Sequence, residues 1–165
     1  MQSHTLLISV NPKYVNKIIQ RLKTIELRRL RPNISNGDKI VIYSSSPEKS
    51  IKAIAIVNKV ISASPDDLWI MFNERLGINH EEFLEYFEDK AIGYAIELEN
   101  VTAFPFPVDL ATLKSNWPSF HPPQCYKYLT NDEFAYLFKI LVATIPTNLD
   151  IIDIISEKQL APQLL

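Results

Sequence analysis

One cysteine in 165 residues, Cys125, leaves no means of building a disulfide framework or a cysteine-rich zinc site. The three histidines, His4, His80 and His121, are scattered without metal-ligand spacing, so no metal is expected. Glycine occurs only at Gly37, Gly77 and Gly93. No glycine-rich loop is present to cradle a phosphate, which removes P-loop and dinucleotide-binding enzymes, and no cofactor is expected. No apolar run approaches a membrane span, and the N-terminus lacks the basic-then-apolar build of a signal peptide. These absences describe a cytoplasmic protein with no membrane partner.

What is present is an ordinary globular composition, 47% hydrophobic and 22% charged, enough for a real core in one domain. The net charge of −2 hides a division. Residues 1–60 hold eleven Lys and Arg against three acids, while the rest of the chain holds six against sixteen. A basic first third points to a polyanionic partner unless the two parts interleave in space and neutralise each other.

Thr5–Val10 has the pattern of a buried strand, and Asn11-Pro12 that of a helix start, with Asn as N-cap and Pro at the first helical position. Val15, Ile18, Ile19 and Leu22 then form a core-facing stripe. Strands are predicted at 23–28, 39–44, 51–60 and 91–98, with an edge or irregular strand at 104–107 because proline cannot donate to a ladder. Two acidic helices are predicted within 64–90, starting at Ser64 and Asn79. Residues 124–129 return to the sheet, and Thr130-Asn131-Asp132-Glu133 is a capping box that opens a helix. A further amphipathic stripe falls at 149–160. Strands that follow one another without a helix after each predict an α+β fold, a mostly antiparallel β-barrel with helices at the rim. The expected layout is a barrel at 1–129 with a helical insertion near 64–90, and a helical extension at 130–165 packed on it. Oligomerisation through that C-terminal helix is one expectation.

The most informative stretch is Lys23-Thr24-Ile25-Glu26-Leu27-Arg28. Strand alternation puts Thr24, Glu26 and Arg28 on one face and Ile25 and Leu27 on the other, with Lys23 at the junction with the helix. One acid flanked by two cations reads a polar ligand or assists proton transfer; it is equally the pattern of a plain cross-strand ion pair.

This stretch, with the early strand, the striped helix, the Gly37-Asp38 turn and the strand ending in Tyr43-Ser44, resembles the ASCH domain. That family belongs to the PUA-like superfamily of β-barrels. The resemblance spans roughly residues 6–98, and Pro122–Leu129 is similar to the C-terminal segment of regulator-like members. It implies a pocket beside the motif strand that engages RNA or a modified nucleotide, with Lys23, Thr24, Glu26 and Arg28 carried over as binding residues. Two departures stand out. Arg21-Leu22 replaces a glycine that many members have just before the motif. In the branch that deacylates N4-acylated cytidine, a lysine-assisted threonine is the nucleophile; Lys23 matches the lysine, but Glu26 occupies the threonine's position. A carboxylate is a poor nucleophile for amide hydrolysis, which leaves Glu26 as a general base on water with Lys23 polarising a carbonyl.

The first functional reading is therefore a binding module for RNA or a modified nucleotide. Lys17, Arg21, Arg29 and Arg31 join the motif cations in meeting phosphate, Tyr43 or Tyr126 stacks on a base, and Gln124, Ser44 and Ser45 contact the ligand. The two serines are expected there because they leave a strand paired with the motif. The second is a small hydrolase acting on RNA or a modified nucleoside through Lys23 and Glu26. The third is a regulatory protein-interaction module that uses the C-terminal helices.

Overall fold

A computed structural model describes residues 3–146. The stripe expected at 149–160, and with it the C-terminal association helix, lies outside the described residues. In order, the chain forms β1 (Thr5–Val10), α1 (Pro12–Ile19), β2 (Ile25–Arg28), β3 (Lys39–Ser44) and β4 (Ser50–Ala63). There follow α2 (Pro65–Phe72), a 3-10 turn (Asn73–Arg75), α3 (His80–Tyr86), β5 (Gly93–Asp109), α4 (Leu110–Asn116), β6 (Tyr126–Leu129) and α5 (Asn131–Ala143).

The six strands make one sheet in the order β2-β5-β4-β3-β1-β6. Among the described residues, only β1 and β3 run parallel, and every other pairing is antiparallel. The fold is α+β, as the strand succession predicts, but the sheet is a curled half-barrel. Its edges, β2 and β6, are not paired to each other. Each is four residues long. Register shifts at three places along the β4–β5 pair supply the bending that curls the sheet.

The middle of β1, Leu6–Leu7–Ile8, is a continuous apolar run because it is covered on both faces. Leu6 and Ile8 meet Val15 and Ile18 of α1 on one side, while Leu7 joins Leu137 and Leu141 of α5 on the other. The capping box at Thr130 and Glu133 opens α5. A third core cluster lies at the β2 edge, where Ile25, Leu27 and Ala95 receive Leu68, Leu76, Phe83 and Phe87 from the 64–90 segment. Gly93 is required by that packing: a Cβ there would stand 2.5 Å from the Phe87 ring and 2.9 Å from Leu68.

Four local expectations change. α1 stops at Ile19 because Arg21 takes a left-handed conformation (φ 61°), so Leu22 leaves the stripe and is exposed. The motif strand begins at Ile25, so Lys23 and Thr24 precede it. Its partner is β5 and not β3, so Ser44 and Ser45 do not leave a strand paired with the motif. The two strands expected at 91–98 and 104–107 are one, β5, and residues 104–107 fall in the register break between the Ala53–Ala103 and Ile51–Val108 pairs, where Pro105 and Pro107 break no ladder. Helix α4, capped by Asp109, was not foreseen.

Candidate nucleotide pocket

A pocket of about 180 Å³ opens where the end of β1, the start of α1, strand β2 and the 64–90 segment meet. It is lined by Ser9, Val10, Asn11, Tyr14, Lys23, Glu26, Leu27, Arg28, Ile78 and Tyr86. Period-two alternation explains its charges. Ile25 and Leu27 go to the third core, and Glu26 and Arg28 point the other way. All three motif charges are buried, with Lys23, Glu26 and Arg28 only 4–6% exposed.

Glu26 stands between the two cations. Its Oε1 is 2.9 Å from Arg28 Nη2, and its Oε2 is 3.6 Å from Lys23 Nζ. Lys23 Nζ also donates to the Leu76 carbonyl at 2.8 Å and lies 5.5 Å from the centre of the Tyr14 ring. Burial pushes the Lys23 ammonium below its usual range, with Glu26 opposing and Arg28 adding to that shift. Burial works against the Arg28 guanidinium as well, but Glu26, Tyr86 and Cys125 together outweigh it and hold the group above its usual value. Arg28 Nη1 donates to Cys125 Sγ at 3.6 Å, linking the β2 edge to the segment that enters β6. Its Nε and Nη2 are shielded from solvent and, among the described residues, have no aligned hydrogen-bond acceptor. The close Glu26 contact is thus an ion pair whose N–H does not point at the oxygen. A buried donor left this way costs about 1–3 kcal/mol, which an entering acceptor relieves.

The helical wall is fastened to the motif through three successive carbonyls. Those of Arg75, Leu76 and Gly77 accept from Thr24 N, Lys23 Nζ and Lys17 Nζ at 3.1, 2.8 and 2.7 Å. Gly77 (φ 63°) permits the approach, since a Cβ there would meet Lys23 Cβ at 2.9 Å. Thr24 is held here too: its Oγ1 accepts from Arg75 Nε at 2.8 Å, so it braces the wall and does not line the pocket.

Of the other expected site residues, Lys17 is taken up by Gly77. Arg21 donates to the Val101 carbonyl and lines a separate pocket with Val101, Thr102 and Ala103. Arg29 donates to the Glu88 carbonyl, and both Arg29 and Arg31 are exposed. Tyr43 is buried in the first core, and Ser44 is buried and donates to Glu48 at 2.5 Å. Ser45 bonds through its backbone to the Val10 carbonyl at 2.9 Å, near the pocket rim. Gln124 is exposed, and Tyr126 packs on the second core against Tyr128. Sequence reasoning missed Ser9, Asn11, Tyr14, Ile78 and Tyr86. Asn11 was legible only as a cap, and Tyr86 only as part of an apolar helix face.

Tyr86 donates to the Leu27 carbonyl at 3.0 Å, and burial pushes its phenol up to about 12. An unfolded tyrosine titrates near 10.0, so the stability Tyr86 contributes is complete below that pH and is lost as pH rises through about 12. Lys23, held below 10.5, acts with the opposite sign, its penalty easing as pH rises toward that value. Urea midpoints measured from pH 9 to 12 are therefore expected to fall more steeply for the wild type than for Tyr86→Phe. Parallel curves would mean that the phenol is not held protonated.

The curled mixed sheet with its helices is the fold of a solved ASCH structure. The crystal structure of ASCH from Zymomonas mobilis matches with a TM-score of 0.77 at 26% identity, over 82% of this chain and 94% of that one. A hypothetical protein from Leishmania major shares the fold, with a TM-score of 0.60 at 15% identity over 88% and 98% of the two chains. In sequence, an ASCH domain-containing ribonuclease of Zymomonas mobilis is 27% identical over 133 residues, 81% of this chain and 89% of that protein. The chain contains an ASCH domain, and it belongs to the family described as "Domain of unknown function (DUF365)", which matches residues 5–114.

Proposed function

We propose that this protein binds single-stranded RNA, drawing one base into the pocket beside β2. The observation that carries this reading is the buried Lys23–Glu26–Arg28 group, whose Arg28 Nε and Nη2 have no aligned acceptor. Such a group suits a ligand that presents donors and acceptors together, as a base edge does. The walls suit a base as well: Val10 and Ile78 are apolar, and Tyr14 and Tyr86 add aromatic surface. At about 180 Å³ the pocket is below the ~300 Å³ at which sites for larger ligands begin, so a base enters and its sugar and phosphate stay outside. Exposed Arg29 and Arg31, which follow β2 directly, serve the phosphates.

A second reading, strand cleavage, is favoured by the ribonuclease name of the Zymomonas relative. It places a phosphodiester at the mouth of the same pocket. Glu26 takes the proton of the 2′-hydroxyl as its oxygen bonds to phosphorus, and the P–O5′ bond breaks to leave a 2′,3′-cyclic phosphate. The departing 5′-oxygen takes a proton from water, and Arg28 and Lys23 face the charge that develops on the phosphoryl oxygens. The two readings put different parts of the nucleotide against Glu26. An end-labelled single-stranded RNA incubated with the full chain separates them. Binding that weakens with added salt, by a slope near −0.7 per phosphate contacted, and is lost in Glu26→Gln without cleavage in either protein supports the binding module. Cleavage that Glu26→Gln abolishes while binding persists supports the nuclease. No binding at low salt overturns both.

A further inference from the structure

We infer that the pocket is selective for guanine, a deepening that rests on the RNA-binding reading above. The argument is the order of donors and acceptors along the pocket floor. Glu26 and Arg28 are i,i+2 neighbours on one strand face, and their groups lie side by side with Oε1 2.9 Å from Nη2. The carboxylate offers only acceptors. It has about four lone-pair sites, so its contacts with Arg28 and Lys23 leave room for more. Arg28 offers only donors, and the two that lack an aligned acceptor, Nε and Nη2, share one edge of the planar guanidinium and point the same way. The floor therefore reads acceptor, acceptor, donor, donor.

Guanine carries the complement in one continuous run: the N2 amine and N1–H donate, then O6 and N7 accept. Glu26 takes the first two and Arg28 the last two, the guanidinium pairing being a common mode of guanine recognition. Lys23, 3.6 Å from the other carboxylate oxygen, holds Glu26 in place. Adenine alternates acceptor, donor, acceptor along its edge and satisfies no adjacent pair. Uracil has one donor between two acceptors. Cytosine is the runner-up, with two adjacent acceptors for Arg28 and one amine for Glu26, leaving one carboxylate site unfilled. Because Arg28 Nε and Nη2 are covered in the unbound protein, entry of the base includes a local parting of the side chains over them, a scale of adjustment usual in binding sites.

The test needs no substitution in the protein. The full chain is titrated by fluorescence anisotropy with labelled uridine pentamers whose central residue is guanosine, inosine, 7-deazaguanosine, adenosine or cytidine. Guanosine is expected to bind tightest. Inosine, which lacks the N2 amine, and 7-deazaguanosine, which lacks N7, should each lose about tenfold or more, the loss typical when a hydrogen bond to a charged group is deleted. Adenosine should fall to the level of the all-uridine pentamer. Equal affinity for guanosine, inosine and 7-deazaguanosine, or tighter binding of cytidine, overturns the guanine assignment and leaves RNA binding standing. No binding by any pentamer overturns the RNA reading along with it.

Discussion

Glu26→Ala is expected to destabilise this protein by about 3–5 kcal/mol, the cost of leaving buried charge uncompensated. The side chains of Lys23, Glu26 and Arg28 are 5%, 8% and 7% exposed, so solvent does little to screen what remains. With the carboxylate gone, two cations face each other across a low-dielectric pocket. For a chain of this length the shift amounts to roughly 6–20 °C in melting temperature. The triple replacement Lys23→Met, Glu26→Leu, Arg28→Met removes the whole charge group and is expected to be nearly neutral or stabilising, because the desolvation penalty of the ions disappears with them. It should also abolish ligand binding. Guanidinium melts of both variants decide the matter. A loss under about 1 kcal/mol for Glu26→Ala would mean that the group is solvated as surface pairs are. A triple variant more stable than wild type yet unable to bind would show that these charges are kept for function at the expense of stability.

The second large effect is expected in the wall. Phe83 is 1% exposed, and its ring centre lies 5.1 Å from that of Trp69 and 5.0 Å from that of Phe87. Phe83→Ala should cost about 3–5 kcal/mol through lost burial and the cavity left behind. Its neighbour Leu84 is half exposed, so Leu84→Ala should stay within about 0.5 kcal/mol. The functional consequence separates the two as well. Phe83 anchors the segment that supplies Ile78 and Tyr86, so its truncation should weaken ligand binding even at temperatures where the variant remains folded. Thermal melts paired with affinity measurements at 10 °C check this. Unchanged affinity in folded Phe83→Ala would mean that the wall does not shape the pocket.

The parts of the fold that were legible are those with strong local signals. Asn11-Pro12 and the Thr130–Glu133 box mark their helix starts because capping satisfies orphan backbone donors within a few residues. The motif charges were legible as a group, since alternation alone puts Glu26 and Arg28 on one face. Thr24 was not, because it precedes the strand and is turned toward Arg75 by contacts from a segment some fifty positions away. The strand order was hidden for the same reason: nothing in residues 23–28 states that their partner is β5 and not β3. Tyr14 and Tyr86 have the spacing of core-facing helix residues, and only the tertiary meeting of α1, α3 and β2 makes them pocket walls. Local physics gives the elements, and long-range pairing gives the site.

The β2–β5 pairing has a consequence for synthesis. Ile25 pairs with Glu97, and among the described residues β2 has no other neighbour in the sheet. On a ribosome adding about 5–20 residues per second, the charged motif emerges and then waits roughly 4–14 s for its partner strand to be made. Throughout that interval Lys23, Glu26 and Arg28 stay hydrated, and burying them is deferred until β5 and the aromatic residues of the 64–90 segment can close over them together. The nascent chain therefore has no preformed pocket, which takes shape late, in the step that completes this edge of the sheet.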